Sequence, residues 1–146
     1  MNIQELQTII QNKLPIKIFI INNDGYHSIR QTQNNFFGEP LIGIGKESKD
    51  LSFPDMSKLA PAYGFPYFSI TSNKNLKQNI ADVLAKSGPL ICEVFVTTTQ
   101  KFEPKCASKK LEDGTMVSSP LEDLAPFLSR EELKENMIIP LLDSSK

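Results

Sequence analysis

The chain has 146 residues, 40% hydrophobic and 23% charged, with a formal net charge of -1. That is enough apolar material for one core and too little length for two comfortable domains. Scattered Lys and Arg leave no electrostatic footprint for a polyanion, which excludes nucleic acid as the expected partner. No apolar run approaches the roughly 20 residues of a membrane span, and the N-terminus lacks a charged-then-apolar signal pattern, so the expected location is cytoplasmic and not the membrane.

Ile3, Leu6 and Ile10 fall at helical spacing between residues 2 and 12, and Pro15 ends the pattern by driving Leu14 extended. Residues 16–21 are almost continuously apolar and β-branched, the pattern of a strand buried on both faces in a parallel sheet. Residues 24–51 are rich in Asn, Gly and Gln, a long segment that compact domains keep for function or an interface, part of which is expected to order on a ligand or subunit. A helix follows from Ser52 as N-cap, with Pro54 and Asp55 in its first turn, Met56, Leu59, Ala60 and Tyr63 inward, and Gly64 at its end. Pro61 should kink or shorten it.

Residues 66–70 read as a short strand. Asn73 then caps a helix whose stripe is Leu76, Ile80, Val83 and Leu84, stopped by Ser87-Gly88-Pro89. Residues 90–96 form the last strand, with Glu93 its only charge. Helix, strand, loop, helix, strand, helix, strand predicts an α/β fold of three layers, a mostly parallel sheet wound by helices, over residues 1–98. Residues 99–146 are expected to be an extended, turn-rich tail with short helices that pack on the domain or a partner. Within it lie two amphipathic pieces, 120–128 and 129–137, the second opened by a capping box from Ser129 to Glu132, and an apolar run 137–142 expected to dock in a groove.

Several motifs lead nowhere. Gly43-Ile44-Gly45-Lys46-Glu47-Ser48 resembles a phosphate loop, but the Walker pattern requires glycine at the position of Pro40. His27 is the only histidine, so no histidine metal cluster is possible, and its plain reading is a packing role near the strand end. Asp24-Gly25 could turn a hairpin, but no second alternating strand follows. Cys92 and Cys106 sit in no metal or redox spacing.

The oxygen-rich strand end Asn22-Asn23-Asp24-Gly25 suits a hard cation better, because ligands of α/β sheets bind beyond the carboxyl ends of strands. Asn23 offers an amide oxygen and Gly25 an approachable carbonyl, and the amides of residues 26–28 could open a helix that favours phosphate.

Residues 1–9, Leu14-Pro15-Ile16-Lys17-Ile18 and Asn22-Asn23-Asp24-Gly25-Tyr26 resemble the carboxy-terminal, diphosphate-binding domain of thiamine diphosphate enzymes of the acetolactate synthase type. The resemblance extends through residues 55–64 and the strand from Gly88, and the tail 111–140 resembles a branch associated with surface-sugar biosynthesis. In that family a Gly-Asp-Gly tripeptide and a later Asn-Asn pair hold magnesium against the diphosphate.

Carried over, the resemblance implies Asn23 and Gly25 as magnesium ligands and Tyr26, His27 and Ser28 along the cofactor, with no catalytic residue in this segment. It also implies that the chain begins after the tripeptide, so that the sheet lacks its first strands. The activating glutamate would come from the pyrimidine-binding domain of a partner subunit in a homo-oligomer. The expected whole is a 2-oxo acid decarboxylase or carboligase using thiamine diphosphate and magnesium, with any flavin bound elsewhere and the isolated chain inactive. His27, Ser28 and Thr32 stand where acetolactate synthases usually have glycine, methionine and tryptophan, which points away from acetolactate formation itself. The competing expectation is a non-catalytic α/β fragment, or a ligand-binding or interaction module without cofactor.

Overall fold

A computed structural model describes residues 2–110 and 113–145. Leu111, where the sugar-biosynthesis resemblance begins, lies outside the described residues, as does Met1. The chain divides into two compact units, Met1–Gln100 and Lys101–Lys146.

The first unit runs α1 (Glu5–Gln11), β1 (Lys17–Asn22), α2 (His27–Phe36), α3 (Met56–Ala62), β2 (Tyr67–Ile70), α4 (Leu76–Ala85) and β3 (Leu90–Phe95). Its three strands are parallel in the order β1-β3-β2, with Ile20 and Ser69 both opposite Glu93. Strand side chains alternate between faces, so the sheet builds two cores. On one face Ile18, Ile20, Tyr67 and Ile91 meet Leu6, Ile9 and Ile10 of α1, Ala60 of α3 and Tyr63 just after it. On the other, Phe68, Ile70, Leu90, Cys92 and Val94 meet Leu76, Ile80 and Val83 of α4. The unit is thus a three-layer α/β sheet flanked by helices, the architecture expected from the order of elements.

Local details correct the sequence reading. β1 is an edge strand rather than one buried on both faces, because α4 covers only β2 and β3, leaving Phe19 37% and Ile21 58% exposed. Asp55, not Ser52, caps α3, its carboxylate accepting the Ser57 N–H at 3.0 Å. Pro61 falls in the last turn, so the helix ends soon after it. There Gly64, at φ +82, allows Gly64 N–H to reach Pro61 O and Phe65 N–H to reach Ala60 O. Asn73 supplies no side-chain cap to α4; Asn75, in a left-handed conformation, precedes it, and Leu84 faces out. The polar segment 24–51 contains α2, whose opening at residues 26–28 the amide pattern anticipates and whose length it does not.

The second unit holds a hairpin that its polar composition hides, β4 (Ser108–Lys110) antiparallel to β5 (Met116–Ser118). α5 (Arg130–Asn136) is capped as expected by Ser129, whose hydroxyl accepts the Glu132 N–H at 3.2 Å. Residues 120–128 are not helical, and the run 137–142 leaves Ile138, Ile139 and Leu142 exposed. Leu133 and the carboxylate of Asp123 are buried here instead, the latter held by two 2.9 Å hydrogen bonds from Arg130.

Candidate functional site at the end of the first strand

β1 ends at Asn22, and the next four residues turn the chain into α2. The two asparagines have different fates. The Asn22 amide donates to Glu93 Oε1 at 2.7 Å, while its oxygen accepts the Asp24 N–H at 2.9 Å. Both halves of that side chain are therefore spent on structure. The Asn23 side chain, half-buried, makes no hydrogen bond to the described residues, and neither does the carbonyl of Gly25. These are the two oxygens that sequence reasoning selected.

A buried arginine, which that reasoning passed over, organises the turn. Arg30, 3% exposed on the first turn of α2, donates from Nη1 to Asn23 O at 3.1 Å and from Nη2 to Asp24 O at 3.0 Å. Its Nε donates to Glu47 Oε2 at 2.8 Å, and Nη1 also lies 3.0 Å from His27 Nδ1. A guanidinium only donates, and the Gln100 carbonyl against His27 Nε2 only accepts, so the imidazole carries its proton on Nε2. His27 is thus a buried structural residue by its ring.

Tyr26 is half exposed, its ring edge-on to Phe53 with centroids 5.4 Å apart, and its N–H donates to Ile44 O at 2.7 Å. No side chain caps α2, and its first intrahelical bond is Arg30 N–H to Tyr26 O. The amides of Ser28 and Ile29 consequently precede the first intrahelical bond, the arrangement that favours an anionic ligand. Ser28 is exposed, with its carbonyl taken by the Thr32 hydroxyl at 3.1 Å.

The glycine-rich segment rejected as a phosphate loop has another purpose. Gly25 and Gly45 cross as an isolated antiparallel bridge. A Cβ on Gly25 would sit 1.9 Å from Ile44 O, and one on Gly45 would sit 2.4 Å from Asp24 O. The signal was present as two glycines flanking Ile44, but only the fold reveals what they approach. Nearby carboxylates are engaged: Asp24 lies 3.4 Å from the Lys46 ammonium, Glu47 holds Arg30, and Glu93 accepts from Asn22 and from the Tyr67 hydroxyl. No cluster of three His, Cys, Asp or Glu suited to a metal occurs among the described residues. The available donors are neutral oxygens, which fit magnesium by type and supply only part of an octahedral shell.

A family profile described as "Thiamine pyrophosphate enzyme, C-terminal TPP binding domain" matches residues 1–94. The chain belongs to this family. It is 36% identical over 110 residues to the acetolactate synthase large subunit of Porphyra purpurea, covering 75% of this chain and 18% of the relative. The large subunit of Cyanidium caldarium matches at the same identity and coverage. A chloroplastic acetolactate synthase of Nicotiana tabacum is 32% identical over 111 residues, 74% of this chain and 17% of the relative. The chain therefore spans less than a fifth of the length of these relatives. No helix among the described residues is long and apolar enough to cross a membrane.

Proposed function

We propose that this domain binds the diphosphate end of thiamine diphosphate through magnesium, as part of an acetolactate synthase-like 2-oxo acid decarboxylase or carboligase. One observation carries the reading: of two adjacent asparagines, only Asn23 keeps its amide oxygen uncommitted, beside the uncommitted Gly25 carbonyl and the open N-terminus of α2. Asn23 and Gly25 would hold magnesium, and the amides of Ser28 and Ile29 would receive diphosphate oxygens, with Tyr26 and His27 alongside. When bound, thiamine diphosphate supplies the electron sink that lets a 2-oxo acid lose carbon dioxide. The residues of this chain orient it.

A carboxylate is still needed to complete the cation site, since those around the turn have other partners. We assign it to a segment outside this chain, and the activating glutamate to the pyrimidine-binding domain of a partner subunit in a homo-oligomer. Any flavin would bind outside this segment, and the assembly would work in the cytoplasm. By itself the chain is then silent toward pyruvate.

Calorimetric titration with thiamine diphosphate tests the reading. Heat that requires magnesium and weakens tenfold or more in Asn23→Ala supports it; no magnesium-dependent heat overturns it. Carbon dioxide released from pyruvate above a no-protein control would overturn the silence of the isolated chain. The alternative, an α/β interaction module without cofactor, draws on the closure of His27, Asp24 and Glu47 by neighbouring side chains, and the same titration separates the two.

A further inference from the structure

We propose that Arg30 is the positioning residue of this site, a buried cation that sets the backbone of residues 23–27 and so presents Asn23 and Gly25. The inference rests on the cofactor reading above for its ligand and on the geometry alone for its mechanism. The carbonyls of Asn23 and Asp24, consecutive in the chain, both accept from one guanidinium, at 3.1 and 3.0 Å. Fixing two successive carbonyls fixes the peptide planes on either side of Asp24, leaving that residue at φ +57 and Gly25 at φ +149. A left-handed conformation is unfavourable for a non-glycine residue, so the turn needs a restraint.

Three features make the restraint specific to arginine. A planar fork can serve two carbonyls, a carboxylate and an imidazole nitrogen at once, whereas an ammonium is a single point donor with three protons. Glu47 provides an opposite charge, aligning the fork through Nε, and His27 Nδ1 accepts beside Asn23 O on the same Nη1. The Gly25 Cβ position lies 3.1 Å from Arg30 Nη2, so a side chain there would collide with the clamp as well as with Ile44 O. Arg30 touches no proposed ligand; it acts through the turn.

The test uses the full chain, thiamine diphosphate and magnesium. Arg30→Lys should raise the dissociation constant and the half-saturating magnesium concentration tenfold or more. Val83→Ala, which opens a cavity under α4 away from the turn, should lower the melting temperature and leave both constants within twofold. Binding by Arg30→Lys within threefold of the parent, or an equal loss in Val83→Ala, overturns the proposal. If Arg30→Lys does not fold, Arg30→Gln carries the same comparison. Should the parent chain bind no cofactor, that reading fails and amide NMR decides the positioning role separately. The resonances of residues 24–28 and of the Asn23 side chain should then shift in the variant while the rest of the spectrum is retained, and unchanged resonances would overturn it.

Discussion

Glu93 accepts the Tyr67 hydroxyl at 2.5 Å on one oxygen and the Asn22 amide at 2.7 Å on the other, tying the central strand to both of its neighbours. The register explains the reach. Glu93 lies opposite Ile20 and Ser69, so Asn22 is two residues ahead on β1 and Tyr67 two residues behind on β2, all on the same face. A 6% exposed carboxylate is costly to bury without partners, and here both oxygens have one. Through Asn22 it also anchors the turn that presents Asn23.

Glu93→Ala should therefore destabilise the first unit by about 2–3 kcal/mol, two hydrogen bonds to a charged acceptor being lost at a buried position. Glu93→Gln, which keeps the shape and one acceptor, should cost about 1 kcal/mol. Urea denaturation followed by circular dichroism measures both, and equal midpoints for the two variants would contradict this account.

Tyr67 supplies a pH dependence. Burial, then the hydrogen bond and charge of Glu93, push its hydroxyl up from 10.0 to about 12. The neutral phenol is the form that the fold favours, so its contribution is complete below pH 10 and is lost as pH rises from 10 to about 12. Absorbance titration at the tyrosinate band should show a late-ionising phase, and Tyr67→Phe should abolish it together with the stability loss in that window.

The glycine crossing predicts a contrast between substitutions of the same type. Gly25→Ala brings a methyl to 1.9 Å from Ile44 O at φ +149 and should cost about 3 kcal/mol, with loss of magnesium-dependent cofactor binding. Gly43→Ala, at φ +67 with nothing within 4 Å, should cost about 1 kcal/mol and leave binding intact. Thermal denaturation and calorimetry read the two effects.

In the second unit, the Asp123 carboxylate is 1% exposed and receives both arms of Arg130, which also donates to Ser145 O and Leu128 O. Arg130→Met removes the guanidinium from a buried carboxylate and from two carbonyls. Limited proteolysis should then cleave residues 101–146 several-fold faster while 1–100 resists as before. Unchanged cleavage would show that the unit is held by other contacts.

The elements of the first unit were legible because burial imposes periodicity on them: alternate faces in β2 and β3, and the Leu76, Ile80, Val83 stripe in α4. Asn23 and Gly25 could be selected because a strand end of oxygen donors is a local pattern. Other features were out of reach for equally physical reasons. The capping role of Asp55 depends on whether its carboxylate meets Ser57 N–H, and the hairpin pairs the wholly polar Ser108–Lys110 with Met116–Ser118, too short a run to show alternation. Leu84 belongs to the stripe by spacing yet faces out, because α4 packs chiefly on β2 and β3.

By itself, the sequence determined the order of α1, β1, α3, β2, α4 and β3, the family, and the point at which a strand gives way to oxygen donors, since each is written in near-neighbour spacing. Which of two adjacent asparagines stays free was decided only by tertiary structure. Glu93 stands 71 positions from Asn22 along the chain and 2.7 Å from it in space. Likewise, Glu47 meets Arg30 across 17 positions, through a loop whose glycines have meaning only where two segments cross. Hydrogen bonds act over ångströms, so a side chain's fate depends on what folding brings beside it.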